Sequence, residues 1–237
     1  MTVIDQFLWV IYPYLMLTTF VVGHIYRYNT DQFGWSAKSS EFLEKPLLKW
    51  GSTLFHWGII FAFFGHVAGI LVPKWIYPAL GITDYMYHLG AIYGGGLFGL
   101  ITIVGIIILT YRRMSILRIR VHSTLMDWVV GISLLITISL GVYVTIIRNT
   151  LVETFDYRST IAPWFRGLLT FSPDPTLMIN VPLSYQLHVF FAFLIFGLFP
   201  FTRLVHMWSL PLEYLKRSYI IFRSNNFFRM HRENKPK

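Results

Sequence analysis

The chain has 237 residues, 55% hydrophobic, 18% aromatic and only 13% charged, about half the charged fraction of a soluble domain. Long stretches carry no charge and short stretches between them carry most of it, which excludes a soluble globule and points to a polytopic membrane protein. The net charge of +9 does not imply a nucleic-acid partner, because the basic residues stand at the ends of apolar runs, where membrane orientation accounts for them.

About 20 apolar residues span a bilayer as a helix, and five runs qualify. The first, Phe7–Tyr26, is interrupted by Pro13. With neither a basic n-region nor a small-residue cleavage site before it, this run is expected to remain as a helix. The second, Gly51–Val72, and the third, Leu89–Tyr111, contain no Asp, Glu, Lys or Arg. The fourth is Trp128–Ile147. Between it and the fifth lies a long connection in which Thr160–Phe171 is a candidate surface helix. The fifth run, Val181–Thr202, has Pro182 in its first turn and Pro200 near its end, where a missing N–H costs little. The expected architecture is an all-α integral membrane protein of five transmembrane helices. Residues 1–220 form the membrane domain and 221–237 a basic tail.

Sixteen of the twenty Lys and Arg fall on one side, in the connections around Arg27–Lys49 and Arg112–Arg120 and in the C-terminal stretch. Lys74, Arg148, Arg158 and Arg166 fall on the other. The positive-inside rule then places the N-terminus outside and the C-terminus in the cytoplasm. Arg217, Arg223, Arg229 and Arg232 make the tail a candidate docking surface for cytoplasmic partners.

The absence of cysteine excludes disulfides, Cys-ligated iron–sulfur clusters and a thiolate haem ligand in this chain. Histidine is the remaining metal ligand. His231 and His122 lie in basic connections, and His24 ends the first helix without an obvious partner. His56 and His66 occupy a charge-free membrane helix, where an imidazole is costly unless paired or coordinated, and His188 and His206 flank the fifth run. Antiparallel helices bring residues to equal depth when their numbers have a constant sum. Pairing His56 with His206 and His66 with His188 leaves a depth mismatch of about 12 Å, whereas the crossed pairing leaves about 42 Å, more than the bilayer core is thick. The 18 residues from His188 to His206 make close to five turns, so one helix face is expected to carry both. Zinc wants about four ligands at one point, whereas two facing imidazoles suit a six-coordinate haem iron. The reading is two bis-histidine b haems between the second and fifth helices. Gly58, Gly65 and Gly69 on the second helix leave room either for a flat macrocycle or for close helix packing. Arg112 and Arg203 are candidates for the haem propionates, or positive-inside anchors.

The sequence resembles the gamma subunit of membrane-bound respiratory nitrate reductase. The resemblance is carried by IYPY (Ile11–Tyr14), Ser39–Ser40, the histidine-bearing pattern Leu54–Pro73 and the PFTRLVHMWSLPLEYLKRSY stretch Pro200–Tyr219. It implies a multi-pass protein of the bacterial cytoplasmic membrane. It also implies quinol oxidation near the outer face and electron transfer through two haems, His66/His188 outer and His56/His206 inner. The implied partners are an iron–sulfur beta subunit and a molybdenum-cofactor alpha subunit that reduces nitrate. The family's quinol-site lysine near the start of the third helix is replaced here by Met86. Gly65, Met86, Tyr87 and His88 are the expected quinol site, with His88 either the substitute polar group or an interfacial histidine. Two rival readings are the same cytochrome serving a sulfite- or heterodisulfide-type reductase, and a haem-free transporter or anchor.

Overall fold

The computed structural model describes residues 2–35, 40–152 and 154–209. Five helices are long and apolar enough to cross a membrane: α1 (Val3–Thr30), α2 (Pro46–Leu71), α3 (Asp84–Ser115), α4 (Leu125–Val152) and α5 (Leu183–Phe201). Their outward faces expose Val21, Trp57, Phe63, Leu97 and Ile132, a surface suited to hydrocarbon rather than water. The starts of α3 and α4 are capped by Thr83 and Thr124, whose hydroxyls accept from the N–H of Met86 and Asp127.

α2 packs along α3, α3 against α4, α4 against α5, and α5 against α1. Small residues set the closest approaches: Gly58 lies against Thr102 and Gly105 against Phe55, while Gly23 lies under the Pro200 ring. Among the described residues α2 and α5 do not pack closely on one another.

Pro13 does not interrupt α1. A π-turn over Phe7–Ile11 precedes it, and the indole N–H of Trp164 donates to the Trp9 carbonyl at 2.9 Å. That carbonyl is the one that Pro13, lacking an N–H, leaves without an α-helical partner. The helix expected on the surface at Thr160–Phe171 forms over Ile161–Leu169, but it is not a surface element. Trp164 is 0% exposed and Leu168 2%, and with Trp9, Met178, Tyr185 and Phe193 they form the main core cluster. The helix plugs one end of the bundle because its apolar stripe faces α1 and α5 rather than water.

The fifth span also departs from expectation. Regular α-helix stops at Leu198, and 3₁₀ turns follow over Phe199–Phe201 and Arg203–Trp208. Thr202 between them is extended, at φ −120° and ψ 178°, and its hydroxyl caps the last turn by accepting from Leu204 N–H. Arg27 holds this break by donating to the carbonyls of Pro200 and Thr202 at 2.7 and 2.9 Å. His188 and His206 therefore do not share the face of one helix. The boundary of the basic tail expected at residue 221, and its docking arginines, lie outside the described residues.

Candidate functional site

His56 and His66 project from α2, on a part of its surface not covered by α3. His188 stands on α5 and His206 on the 3₁₀ turn beyond it. The His56 and His206 ring centroids are 5.9 Å apart, and those of His66 and His188 are 6.0 Å apart. The rings are inclined by 71° in the first pair and 24° in the second.

The second nitrogen of each ring is fixed by its hydrogen bond. His56 Nδ1 lies 2.7 Å from the Ser52 carbonyl oxygen, and His66 Nδ1 2.7 Å from that of Ala62. His188 Nδ1 lies 2.9 Å from the Thr137 carbonyl and His206 Nδ1 2.6 Å from the Arg203 carbonyl. A carbonyl oxygen only accepts, so in all four rings the proton belongs on Nδ1 and Nε2 keeps its lone pair. A metal-ligating histidine shows this same pattern, its far nitrogen tied to a carbonyl that raises ligand basicity. With metal–imidazole bonds of about 2 Å, an ion between two such rings needs their centroids roughly 6 Å apart. Both pairs meet that requirement, and the donor set suits an iron whose equatorial ligands come from a porphyrin. Among the described residues no group of three or more His, Asp or Glu side chains converges on one point, so the pairs do not make zinc-type sites.

His24 shows why the pattern discriminates. Its Nδ1 also meets a carbonyl, that of Phe20, but its Nε2 accepts from the Trp208 indole at 3.1 Å. Its lone pair is used, so it is a structural histidine. His122 bonds the Arg118 carbonyl on an exposed turn and faces no second histidine among the ring contacts of the described residues.

The glycines of α2 divide by role. Gly58 serves helix packing against Thr102. Gly69 receives the Tyr157 and Tyr87 hydroxyls, and only Gly65 of the three opens onto free space. Gly141 on α4 is a site residue missed from the sequence: a Cβ there would lie 3.0 Å from His188 Cε1. No sequence periodicity marks it, because its partner is on another helix.

Arg112 is only 4% exposed and spends its guanidinium on Ser40 and Glu44, at 2.5 to 3.0 Å. It closes the connection into α2, and these bonds engage the group that was expected to meet a propionate. Arg203 grips Asp127 with two bonds, Nε to Oδ1 at 2.7 Å and Nη2 to Oδ2 at 2.8 Å.

At the His66/His188 end, the Tyr87 and Tyr157 hydroxyls are 2.8 Å apart. The Arg158 guanidinium lies 3.9 Å above the Tyr87 ring and bonds Asp84 at 2.9 Å and Asp156 at 3.3 Å. Lys74 bridges Asp156 at 2.7 Å and Asp84 at 3.5 Å. Its hydrogen bond to Asp156 leads the causes that hold the Lys74 ammonium above its ordinary range. Burial pushes the Asp156 carboxyl up, but Lys74 and Arg158 outweigh it and leave the group below its ordinary value. Burial pushes the Tyr157 phenol well up, so it stays protonated. Tyr87 and Asp84 are therefore engaged in this cluster. Met86 is exposed, and His88 is half-buried with no hydrogen bond among the described residues.

The family model described as nitrate reductase gamma subunit matches residues 5–225. The chain is 50% identical to the nitrate reductase gamma chain of Bacillus subtilis, over 93% of this chain and 99% of that one. The chain belongs to the nitrate reductase gamma-subunit family. A second relative, the respiratory nitrate reductase 2 gamma chain of Escherichia coli, is 38% identical over 93% of this chain and 97% of its own length. More distantly, one subunit of the Methanosarcina thermophila dihydromethanophenazine:CoB–CoM heterodisulfide reductase is 25% identical over 67% of this chain and 53% of its own. Family membership and the five apolar spans fit a multi-pass protein of the bacterial membrane.

Proposed function

We propose that this gamma-family chain is the membrane electron-transfer subunit of a nitrate reductase complex, and that it oxidises quinol near the outer face. The observation that carries the reading is the pairing of four histidines at 5.9 and 6.0 Å between ring centroids, each with its Nδ1–H on a carbonyl so that Nε2 keeps its lone pair. His66 and His188 would hold an outer b haem and His56 and His206 an inner one. Bound there, the haems would supply one-electron redox chemistry.

The chain's own residues do the rest. Ser52, Ala62, Thr137 and Arg203 lend the carbonyls that fix each ring. Gly141 gives the His188 ring its space. Gly65, which opens onto free space, and the exposed Met86 would give an apolar quinol ring its contacts. His88 is the unengaged base there and receives the quinol hydroxyl proton. Tyr87, Tyr157 and Arg158 brace the site, with Asp84 and Lys74 toward water. Electrons then move inward to iron–sulfur and molybdenum subunits, with the basic side of the chain facing the cytoplasm.

A second reading, a dihaem cytochrome for a heterodisulfide-type reductase, draws on the 25% match. The shorter coverage of that match favours nitrate reductase. The test is a reduced-minus-oxidised spectrum with haem quantification on the purified complex and on the four single His→Ala variants. Two haems per chain, one lost in each variant, is the expected result. One haem or none in the unmodified protein would overturn the assignment.

A further inference from the structure

His206 stands outside the regular helix, on a turn whose capping is local and whose backbone is broken at Thr202. Arg27 holds the break at Thr202 from α1, and His206 itself, 5.9 Å from His56, is tied to Arg203. The Arg203 carbonyl accepts from its Nδ1 at 2.6 Å, and the Arg203 side chain is clamped on both oxygens of Asp127. Asp127 is itself 4% exposed. It is anchored by the Thr124 capping box and by Arg113 at 3.2 Å. One carboxylate therefore links α3, the start of α4 and the turn that carries His206.

We propose that Asp127 is a positioning residue for the inner histidine pair, acting through Arg203 on the orientation and basicity of His206. The inference rests on the haem assignment above. A bidentate carboxylate–guanidinium fork fixes a plane as well as a distance, which a simple charge pair does not. The carbonyl it places sets the hydrogen bond that tunes the ligand. The negative charge of Asp127 also lies near that pair, so removing it makes the local field more positive and favours the reduced iron.

The complex is purified with Asp127→Asn, Asp127→Glu and Arg203→Lys. Both haem midpoint potentials are then measured by optical titration, and both low-spin resonance signals are recorded. In Asp127→Asn the inner potential should rise by at least a threefold change in equilibrium constant, about 28 mV for one electron. The inner signal should move as the His206 ring turns. The outer haem, in the same molecule, should keep its potential and signal. Asp127→Glu should recover most of the inner properties. Arg203→Lys, which keeps the charge and loses the fork, should move the inner signal with a smaller change in potential. If Asp127→Asn does not assemble, Arg203→Lys decides the matter. An unmoved inner haem in either variant overturns the proposal while leaving the haem assignment intact. Two signals missing from the unmodified complex would instead overturn the assignment and the proposal with it.

Discussion

The two histidine pairs differ in a way that spectroscopy reads directly. When axial imidazoles are nearly perpendicular, two iron d orbitals stay close in energy and the low-spin signal is strongly anisotropic. When they are nearly parallel, the orbitals split and the anisotropy falls. The 71° and 24° inclinations therefore predict two distinct signals, the more anisotropic one lost in His206→Ala and the other in His66→Ala. Loss of the same signal in both variants would refute the pairing. Gly141→Ala supplies a gentler probe, because its methyl would stand 3.0 Å from the His188 ring. Overpacking of that kind costs about 1–3 kcal/mol, and the outer signal should shift while the inner one stays. Gly131→Ala, whose Cβ meets nothing within 4 Å, should leave both signals alone. The histidine pairs were legible in the sequence because depth in a membrane is one-dimensional, and antiparallel helices turn it into arithmetic on residue numbers. Gly141 was not legible, since its reason lies across a helix interface.

At the level of elements, the five spans could be read because lipid demands long runs of apolar residues. What could not be read are the places where one element repairs another. Pro13 looks like a break, and its repair, Trp164, lies 155 residues from Trp9. Pro200 looks like a cheap end-proline, but the chain it ends goes on to deliver His206 on a 3₁₀ turn. Trp164→Phe should therefore cost about 1–3 kcal/mol through the unpaired Trp9 carbonyl, seen as a lower melting temperature in detergent with both haems still bound. The Lys74–Asp156 bridge over the outer end has side chains about 40% exposed, so it contributes at most about 1 kcal/mol. Its pH window follows from the directions of the shifts. Asp156, lowered in the folded state, gives stability above its unfolded value near 4 that is lost as pH falls through its folded one. Lys74, raised, gives stability below about 10.5 that is lost as pH rises through its folded value. Melting temperature should thus change less at both extremes in Asp156→Asn than in the unmodified chain, with the two converging at acid pH.

For the whole molecule, the two pairs lie toward opposite ends of the helix bundle, and the orientation expected from the Lys and Arg distribution would give that axis a direction. On the proposed reading, quinol oxidised at the His66/His188 end would release two protons on the side of Trp75, while two electrons would travel toward the His56/His206 end. Moving each electron inward works against a membrane potential at about 2.3 kcal/mol per charge per 100 mV. The transfer therefore conserves energy only when the acceptor is strongly oxidising, as nitrate is, and the oxidation site lies outside. His88 ties this polarity to a single residue. If it takes the quinol proton, His88→Gln should slow quinol oxidation roughly 100-fold or more, the scale of a lost general base. Both haems should stay reducible by dithionite at unchanged potentials. In proteoliposomes of known orientation, with an artificial electron acceptor on the basic side, the compartment facing Trp75 should acidify by two protons for each quinol oxidised. Acidification of the opposite compartment would place quinol oxidation at the His56/His206 pair and reverse the assigned direction of electron flow.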